Sequence, residues 1–276
     1  MSDSISLRLF RAHSQRLDDT WYGQNRRNSF WRLYFNDSDG ASVSSGGILY
    51  PVAARRLFLL PAGVRFDFAV EPTNGDFPQH FYVHFDVPGL AGFRLREAFD
   101  TPLSLPGNPR LEERAEELRK LNIPRLNFEL SSDLLVQSLV LEALGVAWTM
   151  LPSEKRSHGA IFSTEHQAIT PALRYIEAHL SEPLRNEELA KLCHLSRDHF
   201  IRRFRAATRY APQQYVLERR IALAAQKLIF SDDSIEKIST ECGFANRFYF
   251  SRMFSRLMES PPAAFRRDGL RWYSQS

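Results

Sequence analysis

Two segments near the C-terminal end of the chain repeat one apolar pattern. The first reads NEELAKLCHLSRDHFIRRFR over residues 186–205, and the second reads SIEKISTECGFANRFYFSRMFS over residues 234–255. Phe204 in the first segment corresponds to Phe254 in the second, at an offset of fifty positions. The apolar positions are shared while the outward residues differ. The repeat therefore predicts two helix-turn-helix units of one plan that face different bases of a DNA duplex.

The turns of the two units differ in length. Cys193 corresponds to Cys242 at an offset of forty-nine positions, which gives the second turn one extra residue, and we assign it to Gly243. The chain contains only these two cysteines. Because both come late in the first helix of a unit, we expect two small buried side chains rather than a redox pair or a metal site.

Basic residues are concentrated in the repeat region. Residues 166–271 hold 18 Lys and Arg against 12 Asp and Glu, and the rest of the chain holds 18 against 20. Solvated helices often show such an excess, so it supports phosphate binding only together with the repeat. No apolar run approaches the roughly eighteen residues that span a bilayer, and the first residues lack a secretory-signal pattern. This favours a soluble cytoplasmic protein without a membrane partner.

The N-terminal part of the chain shows short apolar and aromatic runs separated by turn residues, which is typical of a small antiparallel sandwich or barrel. These runs cover residues 30–35, 47–52, 56–63, 64–70 and 80–87. Val64, Phe66 and Phe68 alternate with Arg65 and Asp67, as in a half-buried strand.

Helical periodicity replaces this pattern after Pro109. Apolar residues step by four and three through residues 110–122, and residues 131–151 are apolar over more than half of a helical circumference. We expect this second helix to be covered by the sheet and the preceding helix, or by the same helix of another subunit. A polar segment of mixed charge then separates it from the repeat region.

Each unit has a capping residue before its second helix. Ser196 and Asn246 stand at the expected N-cap positions, and Leu195 can pack on Phe200 as a hydrophobic staple. The predicted buried stripes contain Phe200, Phe204 and Ala207 in the first unit and Phe250, Phe254 and Leu257 in the second. The predicted outward stripes contain Arg197, Asp198, Ile201, Arg202 and Arg205 in the first unit and Arg247, Phe248, Ser251, Arg252 and Ser255 in the second.

Arg202 and Arg252 occupy the same position in the two helices. An arginine one turn into such a helix can reach a phosphate or a guanine edge, and a bidentate guanine contact discriminates by about 1–3 kcal/mol. On a single helix these charges would more simply form a solvated face, but the arrangement occurs twice.

The sequence allows two interpretations of Phe248. Its ring contacts a thymine methyl, or it lies in the core beside Phe244. Residues 213–230 form one helix after Pro212, and recognition helices in successive major grooves must lie about 34 Å apart.

Residues 166–268 resemble the DNA-binding domain of the AraC/XylS family of transcription regulators. The resemblance is carried by CGFANRFYFSRMF from Cys242 and PAAFRR from Pro262, and in the first half by Ala190, Leu195, Phe204 and the PQQY segment from Pro212. It implies seven helices, with two helix-turn-helix units joined by a long helix. The DNA-facing positions that it implies are Arg197, Asp198, Ile201, Arg202, Arg247, Phe248, Ser251 and Arg252. Where the family pattern has glycine after each recognition helix, this chain has Arg209 and Glu259.

Residues 20–150 resemble, more loosely, the cupin-like effector-binding and dimerisation domain of sugar-responsive members of that family. The likeness is carried by LPAG from Leu60 and FYVHF from Phe81. An aromatic pocket with a few polar groups is then expected inside the barrel. Its candidate lining residues are Trp31, Arg32, His80, Tyr82 and His84, although strand aromatics are usually core and a single histidine is usually structural.

Cupin folds also include metal enzymes, which makes an enzyme the alternative. His80 and His84 share a strand face, but a metal needs a third ligand from another strand. Phe66 stands where cupin enzymes tend to keep a histidine. We therefore expect no metal, no cofactor and no catalytic residue.

The predicted fold is α+β, with an N-terminal antiparallel cupin-like β-barrel and flanking helices followed by an all-α domain. The predicted division is an effector-binding and dimerisation domain over 1–151, a linker over 152–165 and a DNA-binding domain over 166–270. The predicted function is that of a transcription regulator, favoured as an activator, controlled by a small-molecule effector such as a sugar. Its expected partners are double-stranded promoter DNA, the effector, RNA polymerase and a second copy of the chain. A regulator whose barrel only dimerises remains a further alternative.

Overall fold

A computed structural model describes residues 5–28, 30–121, 130–160, 164–258 and 260–270. These residues contain nine strands, eight before the first helix and one after it. They are β1 (Arg8–Arg16), β2 (Gly23–Arg27), β3 (Trp31–Asn36), β4 (Ala41–Ser45), β5 (Ile48–Pro51), β6 (Leu57–Leu60), β7 (Arg65–Val70), β8 (Gln79–Asp86) and β9 (Leu103–Ser104). The described helices are α1 (Gly89–Ala98), α2 (Pro109–Lys120), α3 (Leu130–Met150), α4 (Ser153–Ala160), α5 (Thr164–Ala178), α6 (Asn186–Leu192), α7 (Arg197–Thr208), α8 (Pro212–Phe230), α9 (Ile235–Glu241), α10 (Arg247–Met258) and α11 (Pro262–Leu270). The α+β class predicted from the sequence is confirmed.

The strands form two sheets. Hydrogen bonds order the first as β1-β8-β3-β6-β9 and the second as β2-β7-β4-β5. The registered pairs are antiparallel, with Tyr34 opposite Tyr82 at the centre of the β3–β8 pair. These hydrogen bonds group the described strands into two sheets, whereas the sequence favoured one barrel.

The two central strands are buried on both faces. On β3 and β8, one face carries an apolar core that includes Phe35 and Phe85, both fully buried. The opposite face carries Tyr34 and Tyr82, which pack with Val43 of β4 and Phe66 of β7. Burial on both sides explains why these strands read as continuous aromatic runs rather than as an alternating pattern.

Helices α2 and α3 pack against each other beside the first sheet. As the sequence predicted, α2 buries Leu111, Ala115 and Leu118. In α3, Val136, Leu139, Val140, Ala143, Leu144 and Ala147 are buried. Among the described residues, the segment Ser131–Met150 of this helix is long and apolar enough to cross a membrane, and one third of it is buried within the protein. The expectation that no apolar run approaches this length is therefore wrong. Length and composition alone are weak evidence for a membrane span, because core helices of soluble proteins meet the same test.

Residue contacts divide the chain into two compact units. One contains Leu9–Asp86 and Phe99–Leu151, and the other contains Val87–Ala98 and Pro152–Arg267. Helix α1, which follows β8 and precedes β9, therefore groups with the C-terminal helices. It contacts α4 and α5, and its Phe93 belongs to the same buried cluster as Ile169. The segment predicted as a linker contains α4.

The C-terminal unit contains seven helices from residue 164 onward, α5 to α11, in agreement with the implied architecture. The first helix-turn-helix is α6 and α7, the long helix is α8, and the second helix-turn-helix is α9 and α10. Phe200 and Phe204 are fully buried in the first unit, as Phe250 and Phe254 are in the second. Phe254 contacts Phe265 of α11 edge to face, which attaches the last helix to the second unit.

Candidate nucleic-acid interface

The turns of the two units share one backbone conformation. His194 follows α6 with φ of +54°, and Gly243 follows α9 with φ of +77°. In both units the next residue donates its amide hydrogen to a carbonyl of the first helix, Leu195 to Ala190 and Phe244 to Ser239, each at 3.0 Å. Left-handed backbone reverses the chain here, and only the second unit uses the glycine that this conformation favours.

This equivalence corrects the position of the extra residue. Because His194 matches Gly243 and Leu195 matches Phe244, the insertion lies later, between Phe244 and the helix cap Asn246. The additional residue is Ala245, which is exposed. The sequence offsets showed that the second turn is one residue longer, but they did not show which residue is added. Gly243 looked like the insertion because the equivalent left-handed residue of the first unit is a histidine.

The two predicted caps differ. Asn246 Oδ1 accepts a hydrogen bond from the Tyr249 amide at 2.8 Å, so it caps α10 as expected. Ser196 has extended backbone at the N-cap of α7, but its hydroxyl makes no capping hydrogen bond. The expectation that the Ser196 hydroxyl accepts from the first turn is therefore wrong. Its carbonyl still accepts from the Phe200 amide at 2.8 Å, which begins the helix.

The outward faces of α7 and α10 carry the candidate DNA contacts. Arg202 and Arg252 are both exposed at equivalent positions. Arg197, Asp198 and Arg247 are also exposed, whereas Ser251 is half-buried. Ile201 is half-buried and packs against the core of the first unit, so part of its side chain supports the helix.

Arg197 is engaged by acidic neighbours. Its Nε lies 2.7 Å from Glu187 Oε1, and its Nη1 lies 3.5 Å from Asp198 Oδ1. A phosphate would have to compete with these carboxylates for the guanidinium. Arg202 and Arg252 are therefore the stronger candidates for direct DNA contact on their respective helices.

Phe248 is 86% exposed, which excludes the alternative that places it in the core. Phe244 instead fills that core, with its ring centroid 5.0 Å from the ring of Phe250. The neighbouring Tyr249 is also exposed, and the Arg252 guanidinium lies 5.7 Å from its ring centroid. This contact can orient Arg252 along the outward face. Sequence reasoning missed Tyr249, whose signal was its position beside two other outward residues of α10.

Helix α7 is followed by an arginine in the left-handed conformation, at the position where the AraC/XylS pattern has glycine. Arg209 follows α7 with φ of +63°, and its amide donates to the Arg205 carbonyl at 2.9 Å. Arginine thus takes the left-handed position where the family has glycine. Glu259, the corresponding residue after α10, lies outside the described residues.

Both cysteines are buried, as predicted. Burial raises the pKa of Cys242 to about 12 and also raises the pKa of Cys193, so both thiols are protonated near neutral pH. In the described part of the chain, no group of three or more His, Cys, Asp or Glu residues is arranged to hold a metal.

The candidate effector residues divide between two faces of the first sheet. Arg32, His80, Tyr82 and His84 share the face that packs toward the second sheet, whereas Trp31 lies on the opposite face. There the Trp31 ring stacks on Phe85 and contacts Phe99 edge to face.

Polar groups on the inner face are buried and hydrogen-bonded. His80 Nδ1 lies 2.7 Å from Asn36 Oδ1, and Arg32 Nη1 donates to Asn28 Oδ1 at 2.7 Å. Burial lowers the pKa of His80 to about 3. Burial, and then the charge of Arg32, lowers the pKa of His84. Both imidazoles are thus neutral, and His84 lies opposite Arg32 in the strand register. This face therefore combines hydrogen-bond donors and acceptors with aromatic rings.

Comparisons with known proteins support the helical half of this description. Residues 189–268 match the sequence profile of the family described as "Helix-turn-helix domain". The MmsAB operon regulatory protein of Pseudomonas aeruginosa is 39% identical over 92 residues, which cover 33% of this chain and 30% of that protein. In this and the next curated relatives, the match spans about a third of the relative's length.

Two further proteins are similar over nearly the whole chain. The raffinose operon transcriptional regulatory protein RafR of Pediococcus pentosaceus is 24% identical over 258 residues, covering 90% of this chain and 88% of that protein. The crystal structure of ToxT from Vibrio cholerae O395 superposes with a TM-score of 0.62 at 14% identity, covering 97% of this chain and 98% of that chain. The ToxT likeness shows that both halves share its fold.

Proposed function

We propose that this protein is a sequence-specific DNA-binding transcription regulator, because residues 189–268 match a helix-turn-helix family and this part of the chain resembles the DNA-binding domain of AraC/XylS regulators. The observation that carries the proposal is the pair of exposed arginines, Arg202 and Arg252, at equivalent positions on two recognition helices. Each helix lies over a fully buried phenylalanine pair, so its outward side chains are held on a rigid support. In this proposal the two helices enter successive major grooves of promoter DNA.

A salt titration of DNA binding tests the proposal. The full chain selects sites from a random duplex pool, and its affinity for the selected site is measured from low to moderate salt. Arg202→Ala and Arg252→Ala should each weaken binding by about 1–3 kcal/mol if they read bases, or should reduce the salt slope by about one if they contact phosphate. Arg174→Ala, on the exposed side of α5, removes the same charge and serves as the control. Unchanged affinity and slope in both recognition-helix variants would contradict the proposal.

The inner face of the first sheet is proposed to bind a small-molecule effector. It combines the polar side chains of Arg32, His80 and His84 with the ring of Tyr82, a mixture suited to the apolar faces and hydroxyl groups of a sugar. RafR, whose name refers to the raffinose operon, supports a sugar. A crystal structure of ToxT contains a bound unsaturated fatty acid, which makes a carboxylic acid the competing class.

Thermal shifts distinguish these classes. A true ligand at 100 times its dissociation constant stabilises the folded state by about 2.7 kcal/mol. A panel of mono- and oligosaccharides is compared with fatty acids of matched concentration, on the parent protein and on His84→Phe. A shift with sugars that is lost in the variant supports the proposal. A shift with fatty acids alone would replace the sugar, and no shift with either would favour a sheet domain that only dimerises.

We further propose that the regulator acts in the cytoplasm as a homodimer that activates transcription through RNA polymerase. The support for dimerisation is an exposed apolar stripe on α3, where Leu134 is 55% and Leu141 is 43% exposed. With Ser138 and Gly145, these residues follow the i, i+4, i+7, i+11 spacing of a helix–helix seam. Sedimentation equilibrium of the full chain should give a dimer, and Leu141→Glu should give a monomer. A monomeric parent protein would contradict this part of the proposal.

A further inference from the structure

The long helix α8 is attached to both helix-turn-helix units by charged side chains. Arg219 Nε lies 2.6 Å from Glu177 Oε1 of α5, which supports the first unit. Lys227 Nζ lies 2.6 Å from Glu241 Oε2 of α9, in the second unit. Each of these ion pairs joins α8 to one unit. The helix has 19 residues, which corresponds to about 28 Å at a rise of about 1.5 Å per residue.

Arg220 contacts the segment that leads into the first unit and the turn of the second unit at once. Its Nε donates to the Leu180 carbonyl at 2.8 Å and its Nη2 donates to the Glu182 carbonyl at 2.6 Å, both in the segment between α5 and α6. Its Nη1 donates to the Gly243 carbonyl at 2.8 Å, in the turn of the second unit. Burial lowers the pKa of Arg220, but a guanidinium keeps its charge in proteins. The three contacts use the planar fork of donors that arginine has and lysine lacks.

Gly243 permits this close approach. A Cβ at this position would lie 2.5 Å from the Leu180 carbonyl oxygen and 2.8 Å from Arg220 Cζ. The equivalent residue of the first unit, His194, has the same left-handed backbone and an exposed side chain. Left-handed geometry alone therefore does not require glycine at this turn. Glycine is required at position 243 because a Cβ there would clash with Leu180 and Arg220.

Side-chain packing leaves space beside these hydrogen bonds. A pocket of about 350 Å³, open to solvent on one side, lies between α8 and the second turn. Its lining includes Gln214, Leu217, Arg220, Phe244 and Tyr249. Where side chains do not fill the space between two elements, packing constrains their angle less. The hydrogen bonds of Arg220 then contribute more than side-chain packing to the position of the second turn relative to α8.

We propose that Arg220 is a positioning residue that fixes the orientation of α7 relative to α10, and thereby the spacing of the two DNA segments that the chain binds together. The inference rests on the proposed function, because it needs both helices to bind DNA. Fixed orientation makes binding of the second segment intramolecular, with a high effective concentration at one spacing only. Loss of the contact lets the units rotate, which lowers affinity at that spacing and broadens the range of spacings tolerated.

The test uses the full chain and the site that the parent protein selects from a random duplex pool. The two segments of that site are separated or brought closer one base pair at a time, and affinity is measured for each duplex. The parent protein should bind the selected spacing at least about tenfold more tightly than neighbouring spacings. Arg220→Met should lose most of this difference, while its affinity for a duplex with one segment should match that of the parent protein.

Lys227→Met is the matched control, because it removes one charged contact of α8 that reaches the second unit alone. It should keep the spacing preference. Circular dichroism checks that each variant is folded at the assay temperature, and if Arg220→Met is unfolded, Arg220→Lys carries the test with a charge but without the fork. An Arg220 variant that is folded and keeps the parent's spacing preference would overturn the inference. A parent protein that selects no site would instead contradict the proposed function.

Discussion

Replacing Gly243 by alanine tests whether the close contact at the second turn stabilises the C-terminal unit. An L-residue in left-handed backbone costs about 1–2 kcal/mol, and part of this is offset because alanine restricts the unfolded chain by about 0.4–1 kcal/mol. The new Cβ would also lie 2.5 Å from the Leu180 carbonyl oxygen, which must move. We therefore expect Gly243→Ala to lower the free energy of unfolding of this unit by about 1–3 kcal/mol.

His194→Ala is the matched control, because His194 holds the same left-handed position with a Cβ already present and an exposed side chain. Its effect should stay within about 0.5 kcal/mol. Native-state hydrogen exchange of the full chain, read at the amides of α8, α9 and α10, measures the local free energy of both variants. The reasoning is refuted if Gly243→Ala is as stable as the parent protein, or if His194→Ala is equally destabilising.

Three other predictions concern the caps, the exposed ring and the sheet interior. Asn246→Ala should lower stability by about 1 kcal/mol in denaturant unfolding, and Ser196→Ala by clearly less, because only Asn246 caps through its side chain; equal losses would count against this. Phe248→Ala should weaken DNA binding while leaving unfolding within about 0.5 kcal/mol, and a large loss of stability would place the ring in the core. The neutral, buried His80 takes up a proton only when unfolded, so between pH 6.5 and about 3 the free energy of unfolding should fall by up to about 1.4 kcal/mol per pH unit as pH falls. In His80→Gln this slope should be shallower. An unchanged slope would contradict the lowered pKa of His80 in the folded protein.

The sequence predicted the C-terminal helices well because their stability depends on a local period. The buried phenylalanines of α7 and α10 recur at one-turn intervals, and the pattern appears twice. The repeat also located Arg202 and Arg252 on the outward faces. It failed for details that depend on single hydrogen bonds or backbone angles, such as the missing cap at Ser196 and the left-handed His194.

The N-terminal strands were harder to predict. Runs such as β3 and β8 are apolar enough to be recognised, but β2 and β4 are short and mostly polar and gave no signal. Strand pairing depends on residues far apart in sequence, so the two-sheet order could not be derived from local patterns. The same applies to α1, whose Phe93 packs with the C-terminal helices although the helix lies between two strands in the chain.

Arg220 was missed for a related reason. In the sequence it is one of two adjacent arginines on a helix, and nothing local distinguishes it from Arg219. Only the fold brings the carbonyls of Leu180, Glu182 and Gly243 to one guanidinium.

A footprint of the full chain on its selected duplex tests the central claim most directly. If α7 and α10 enter successive major grooves on one face, methylation interference should show two groups of major-groove contacts separated by about 10–10.5 base pairs. Arg202→Ala should erase one group and Arg252→Ala the other. A single group of contacts, or two groups that survive both substitutions, would contradict DNA binding by a pair of recognition helices.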